Sequence, residues 1–312
     1  MIPEKCYVLV NAHSCQGNGL KKWNSIREEV FKRLPGVIEI IPENLDDMKK
    51  RLTELLSSQE KSCIISAGGD GSMHELCNIL LHSGKADNHL IGAVGLGSSN
   101  DFLKPFHTFI RDVPVRINRD EPYQLQDVGM VRYLDENNIW KVQYFIINAS
   151  FGVTAEGNWI FNEPNTLLKW LKKTNTGLAI TYAAVSSILG YRNKKVTFDY
   201  DDIQKTEFIS NINILKTPYV SGSLCYHQDI HPDDGQLRLN ICLNMNKVTL
   251  LYTLFKLEKG VFVPDAKKLS TMVTQFDLKS NVPVIFECDG ETEKVYQVEI
   301  SVIPKALCVL KS

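Results

Sequence analysis

The sequence predicts a doubly wound α/β domain followed by a mainly β domain, and three observations predict it. Short apolar runs alternate with helically spaced apolar residues through the first third of the chain. After about Pro105 the pattern turns to runs of alternating apolar and polar residues separated by polar turns. The length, 312 residues with 44% hydrophobic and 23% charged, suits two domains of roughly 150 residues each.

The elements follow in order. Residues 6–12 (CYVLVNA) read as a buried strand, then a glycine-bearing turn at 16–19. Trp23, Ile26, Val30 and Leu34 form a helical stripe, and 37–41 (VIEII) a second strand. Leu45, Met48, Leu52, Leu55 and Leu56 mark the next helix, and 62–67 (SCIISA) a third strand. Met73, Leu76, Cys77, Leu80 and Leu81 mark a helix after a glycine-rich turn, and 89–95 (HLIGAVG) a fourth strand. Alternating strands and helices with apolar strands mean a parallel sheet covered on both faces. Beyond it, β-rich runs are interrupted by helical patches at 166–191 and 247–258. The apolar end, VEISVIPKALCVL, is expected to be a packed pair of short strands. Domain boundaries are placed at 1–125, 126–300 and 301–312, the last segment packing back on the first domain.

Composition excludes several classes. With 35 Lys+Arg against 36 Asp+Glu, the net charge of −1 rules out a nucleic-acid partner held by mass electrostatics. The longest apolar helical stretch, 178–191, falls short of the roughly 20 residues a membrane span needs. Eight cysteines without a CxxC pair, and a start without a secretory pattern, read as a reduced cytoplasmic protein. There is no GxxxxGK[ST], no HRD or DFG set and no GxSxG elbow, which excludes P-loop, protein-kinase and α/β-hydrolase chemistry.

Three loops can carry chemistry. Gly68-Gly69-Asp70-Gly71-Ser72 joins a buried strand to a helix, so backbone N–H groups and the helix N-terminus would face a phosphate. A carboxylate beside phosphate makes sense when Mg²⁺ lies between them, which singles out Asp70. Gly95-Leu96-Gly97-Ser98-Ser99-Asn100-Asp101 follows the next strand, with Ser98, Ser99 and Asn100 as neutral donors and Asp101 as a second carboxylate. Glu287-Cys288-Asp289-Gly290-Glu291 ends a strand. It reads either as a carboxylate pair for general-base work or as a hairpin turn, and spacing favours the turn. His227, His231, Asp233 and Asp234 have loop flanks unsuited to zinc; Asp233-Asp234-Gly235 reads as a turn able to hold a hard cation. Trp159, Phe161, Leu167, Leu168, Trp170 and Leu171, followed by Lys169–Lys173, read as helix core, with a lipid-entry lip as the alternative.

In series, these segments resemble the diacylglycerol kinase catalytic family of lipid kinases, which includes sphingosine kinases. The resemblance runs through Asn11–Gly17, GGDGS with Glu75 and Asn78, Gly95–Lys104, Asp127-Val128-Gly129, residues 145–152, Asp233–Gly235 and Asp289-Gly290-Glu291. Here Ala12 stands for the usual Pro, Cys15 for Gly, Gly95 for Pro, Lys104 for Arg, and Ser72 and Ser98 for Thr. The resemblance implies an active site in the cleft between an α/β domain and a β-sandwich domain. ATP would lie on Asn11, Ala12, His13, Ser14, Cys15, Gly68, Gly69, Asp70, Gly71, Ser72, Glu75, Gly97, Ser98 and Asn100. Asp70, Asp101 and Asp127 would organise a catalytic Mg²⁺, and His231, Asp234 and Gln236 a structural one. Asp289 and Glu291, with Asp70, would be catalytic.

The expected function is ATP- and Mg²⁺-dependent phosphorylation of a lipid hydroxyl, on a diacylglycerol-like or sphingoid acceptor. The alternatives are an NAD or other small-metabolite kinase sharing the GGDG loop, and a non-catalytic nucleotide- or lipid-binding relative. Expected partners are ATP, a lipid acceptor and, transiently, the inner membrane surface; a homodimer is compatible with the sequence.

Overall fold

The computed structural model describes residues 3–311 apart from 59, 122, 164 and 227. It divides into two compact units, residues 1–126 with 305–312, and residues 127–304.

In the first unit four parallel strands lie in the order Ile38–Ile40, Cys6–Val10, Ser62–Gly68 and His89–Gly95. The helices between them are Gly19–Arg33, Leu45–Ser57 and Asp70–His82. Val8, Val10, Cys63 and Ile65 pack with Trp23, Ile26, Val30 and Leu34 of the first helix. Leu9 and Ile64, of the opposite parity, are buried as well, so the sheet is covered on both faces, as its apolar strands require. Asn44 caps the second helix, its side chain accepting the Asp47 N–H.

The end of the chain belongs to this sheet. Cys308 and Val309 pair in parallel with Leu90 and Ile91. The expectation of two short strands here is corrected, because Glu291–Val309 is a single strand of 19 residues that runs from the second unit into the first.

The second unit is mainly antiparallel. Its strands run in the order Lys268–Val273, Leu237–Leu243, Ile203–Leu215, Lys194–Tyr200, Gln275–Cys288 and Glu291–Val309. Asn148–Gly152 shares the place of Lys194–Tyr200: both pair with Ile203–Leu215 on one side and Gln275–Cys288 on the other. The chain therefore leaves one slot of the sheet and returns to it. Between lie helices Val153–Asn162, Thr166–Thr174 and Thr176–Gly190, the last two of which divide the single helical patch expected at 166–191. Asn165 and Asn175 cap the latter two through the Leu168 and Leu178 N–H groups. No helix among the described residues is long and apolar enough to cross a membrane.

Aromatic rings fill this unit. Phe151 and Phe286 stand 5.3 Å apart between centroids, Tyr133 and Phe286 5.6 Å, and Phe198 and Phe276 6.2 Å. Phe286 touches rings from two other strands. We expect Phe286→Ala to lose about 3–5 kcal/mol of unfolding free energy in a urea titration, through burial and cavity together.

Candidate active site

In the first unit the two glycine loops meet at adjacent strand ends. The Gly68 carbonyl accepts the Leu96 N–H at 2.8 Å and the Gly97 N–H at 3.2 Å. A Cβ placed on Gly97 would lie 2.5 Å from the Gly69 Cα and 2.8 Å from the Asn100 Oδ1. Only glycine fits there. The helix Asp70–His82 starts at Gly69, with no side chain capping its first N–H groups. Its end, with Gly71 and Ser98 exposed around it, therefore offers main-chain donors to an anion.

The loop after the first strand borders the cradle. Asn11 donates from Nδ2 to the Ser72 Oγ at 2.8 Å and accepts the His13 N–H at Oδ1. The Ser14 hydroxyl donates to the Asn11 carbonyl at 2.9 Å, and the His13 Nε2 lies 3.0 Å from the Glu43 carbonyl. Cys15 has φ of 49° and Gln16 of 57°, the left-handed region that favours glycine. Ala12 is half-buried beside them. Glu75 is ion-paired with Lys49 at 3.4 Å.

Asn100, expected as a phosphate donor, is a brace. It is buried, its Oδ1 accepts the Gly97 N–H at 3.1 Å, and its Nδ2 donates to the Gly95 and Gly97 carbonyls. Its own φ of 51° is left-handed, which asparagine tolerates better than other side chains. The Asp70 Oδ1 accepts the Phe102 N–H at 3.1 Å and so ties the two loops a second time.

Lysines stand beside three of the four carboxylates expected at the metal positions. Asp101 is buried and paired with Lys104 Nζ at 2.7 Å. Asp127 is fully buried and paired with Lys216 Nζ at 2.8 Å. Asp234, expected to join His231 and Gln236 around a structural Mg²⁺, is paired with the same Lys216 at 2.8 Å, and the Gln236 carbonyl accepts from it at 2.9 Å. Burial opposes ionisation of Asp234, but Lys216 and the Gln236 and His231 N–H groups outweigh it and hold the carboxyl below its usual range. The His231 ring is exposed, 3.4 Å from Asp229. His227 lies outside the described residues. Among the described residues, no group of three or more His, Cys, Asp or Glu side chains could hold a metal ion.

In the second unit Asp289 and Gly290 form a two-residue hairpin turn, with Cys288 paired to Glu291 and φ values of 48° and 97°. The turn reading holds, and the turn aims the Asp289 side chain inward. The Asp289 Oδ1 accepts the N–H of Ile147 at 3.0 Å and of Asn148 at 2.9 Å, and Oδ2 that of Ile146 at 2.9 Å. Asn162 Nδ2 donates to the Gly290 carbonyl at 2.8 Å, tying the first inserted helix to the turn. Glu291 is exposed on the returning strand.

Two residues assigned no role from sequence complete this region. Lys216 is one. The other is Glu287, which is buried and accepts from Asn148 Nδ2 at 2.8 Å, the Ser150 hydroxyl and the Gly290 N–H at 2.6 Å. Burial first, and then the Asp289 charge, push its carboxyl up to about 7 against the opposing hydrogen bonds. Its position at the inward end of an apolar strand, VPVIFE, was the available signal.

Comparison with known proteins agrees with this division. Residues 5–121 match the diacylglycerol kinase catalytic domain, and 149–311 match the YegS C-terminal NAD kinase beta sandwich-like domain. The fold is thus an α/β kinase domain followed by a β sandwich. The chain belongs to the diacylglycerol kinase-like family of lipid kinases. Over 203 residues it is 25% identical to sphingoid long chain base kinase 4 of Schizosaccharomyces pombe, covering 58% of this chain and 41% of that protein. Over 156 residues it is 26% identical to the "Putative lipid kinase YtlR" of Bacillus subtilis, covering 49% of each. The match thus spans less than half of either relative. A crystal structure of a diacylglycerol kinase from Bacillus anthracis str. Sterne shares the fold, with a TM-score of 0.70 at 15% identity over 100% of this chain and 98% of that one.

Two outcomes are expected. Gly97→Ala forces the loops apart and costs about 1–3 kcal/mol in chemical denaturation, whereas Gly71→Ala, with nothing within 4 Å of its Cβ, stays within about 0.5 kcal/mol. For Glu287, a raised folded pKa means that the folded state binds the extra proton, so stability is greatest at low pH. It falls as pH rises from the ordinary 4.5 through about 7, by on the order of 3 kcal/mol. Glu287→Gln should match the parent's melting temperature near the acid end of that window and exceed it above the alkaline end.

Proposed function

We propose that this protein is an ATP- and Mg²⁺-dependent lipid kinase that transfers the γ-phosphoryl group to a hydroxyl of a diacylglycerol-like or sphingoid acceptor. The observation that carries this reading is the pair of glycine loops at consecutive strand ends, packed so closely that a Cβ at Gly97 would strike the Gly69 backbone. That cradle, at the start of the helix Asp70–His82, fits a polyphosphate. The names of the relatives, a sphingoid base kinase and a lipid kinase, support a lipid acceptor.

In this reading Gly68, Gly69, Gly71 and Ser72 hold the phosphates through main-chain N–H groups and the serine hydroxyl, with Asn11 and Ser98 beside them. Mg²⁺ arriving with ATP would neutralise phosphate charge, and Asp70 is the carboxylate we assign to its water shell. Asp101 and Asp127 are not assigned to it, since Lys104 and Lys216 meet their charges. Asp289, fixed by three main-chain N–H groups, accepts the proton of the acceptor hydroxyl. The hydroxyl oxygen bonds to the γ-phosphorus as the bond to the ADP oxygen breaks. Catalysis is then chiefly positioning and charge neutralisation. Glu291, exposed next to the turn, is assigned to the acceptor side.

A lipid acceptor has to be met at a membrane, in this reading from the cytoplasmic side and transiently. Exposed Leu167 and Trp170 with Lys169 and Lys172, and exposed Val248, Tyr252 and Phe255 with Lys247 and Lys259, give apolar surfaces edged by lysine suited to that contact.

The test is phosphate transfer from labelled ATP to extracted lipids, with the product identified by mass spectrometry. We expect a phosphorylated lipid, and transfer to NAD with none to lipid would select the small-metabolite reading instead. Asp289→Asn should lose at least about 10²-fold in kcat while ATP binding persists; turnover at the parental rate would remove Asp289 from the reaction.

A further inference from the structure

Asp234 and Gln236, two of the three residues expected around a structural divalent ion, already hold a cation of the chain's own, with Asp127 as the third acceptor. We propose that Lys216 is the resident cation of the turn 232–236, and that the second unit takes up no Mg²⁺ there. Its Nζ donates to Asp127 Oδ2 at 2.8 Å, Asp234 Oδ1 at 2.8 Å and the Gln236 carbonyl at 2.9 Å. An ammonium has three N–H donors, and these three acceptors use all of them. The side chains of Lys216 and Asp127 are 0% exposed, so water does not share the work.

The remaining charge is also met. Two carboxylates face one ammonium, and the excess is taken up by main-chain donors: the Gly235 N–H to Asp127 Oδ2 at 2.7 Å and the Gln236 N–H to Asp234 Oδ1 at 3.0 Å. The Asp127 N–H donates to the Pro232 carbonyl, so the strand Gln124–Asp135 is tied to the turn by main chain as well. A divalent ion at this point would need the same oxygens at about 2.0–2.6 Å, around a centre that the ammonium fills.

The lysine is anchored beside the catalytic candidate. Its N–H donates to the Ile147 carbonyl at 2.8 Å, and the Ile147 N–H holds Asp289. Lys216 thus joins the turn 232–236 to the segment that positions Asp289, through bonds that cannot dissociate as a metal can. The stability of a tethered cation site is independent of free metal concentration, whereas that of a metal site follows it by mass action.

The experiment uses the full chain without nucleotide. After dialysis against EDTA, we expect elemental analysis to find no stoichiometric Mg²⁺ or Ca²⁺, and millimolar MgCl₂ to move the melting midpoint by less than about 1 °C. Lys216→Met, which keeps the stem and removes the charge, should melt roughly 10 °C lower, because it leaves two carboxylates facing one another. Lys216→Met with Asp127→Asn should recover part of that loss. One retained divalent ion per chain, or a midpoint in the parent that rises with Mg²⁺, would overturn the proposal. So would a Lys216→Met protein that melts with the parent. If Lys216→Met does not fold, the metal content and metal response of the parent decide.

Discussion

A carboxylate removed from water has to find a cation, a proton or several N–H donors, and much of this chain is arranged around that requirement. Asp101 and Asp127 take cations, from Lys104 and Lys216. Glu287 is placed to take a proton, its carboxyl pushed up to about 7. Asp289 takes three main-chain N–H groups. Three solutions coexist because the groups do different work. A carboxylate that fastens two segments is best served by a fixed partner, whereas main-chain donors hold Asp289 in one orientation without adding a counter-charge.

The glycine cradle answers the complementary requirement. Phosphate is hydrated strongly in water, and a protein replaces that hydration with N–H groups already in place. Gly69 and Gly97 allow two backbones to approach closely, and Asn100 spends its whole amide keeping them there. Asn100 is thus engaged with the loop's own backbone, which its residue type alone does not announce.

What could be read in the sequence was what depends on neighbours in the chain. The strands 6–10, 62–68 and 89–95 are buried on both faces, and continuous apolar runs announce that directly. The GGDGS loop declares itself by three glycines between a strand and a helix. Lys216 did not declare itself, because its partners come from a distant strand and a later turn, and a lone lysine after an apolar run looks like a strand end reaching water. Glu287 was legible within its segment but without a role of its own, because its meaning depends on Asn148 and Ser150 across the sheet. Asp289-Gly290 was seen, and its ambiguity was real: the geometry makes it a hairpin turn and an aimed carboxylate together. The single strand Glu291–Val309 was taken for two, because Pro304 lies within it and proline weakens a strand reading.

That strand also sets an order of assembly. Residues 308–309 pair with residues 90–91 of the first unit, yet they are synthesised after the whole of the second. During synthesis the first unit stands one strand short, with part of the edge of His89–Gly95 unpaired while the second unit emerges and folds. Residues 113–116 already cover the neighbouring stretch of that edge, at Ala93 and Val94, and shorten the exposed part. The glycine loop 95–101 begins where this strand ends. The sheet of the first unit is thus completed only after the second unit has been made, by a strand that leaves directly from the Asp289-Gly290 hairpin.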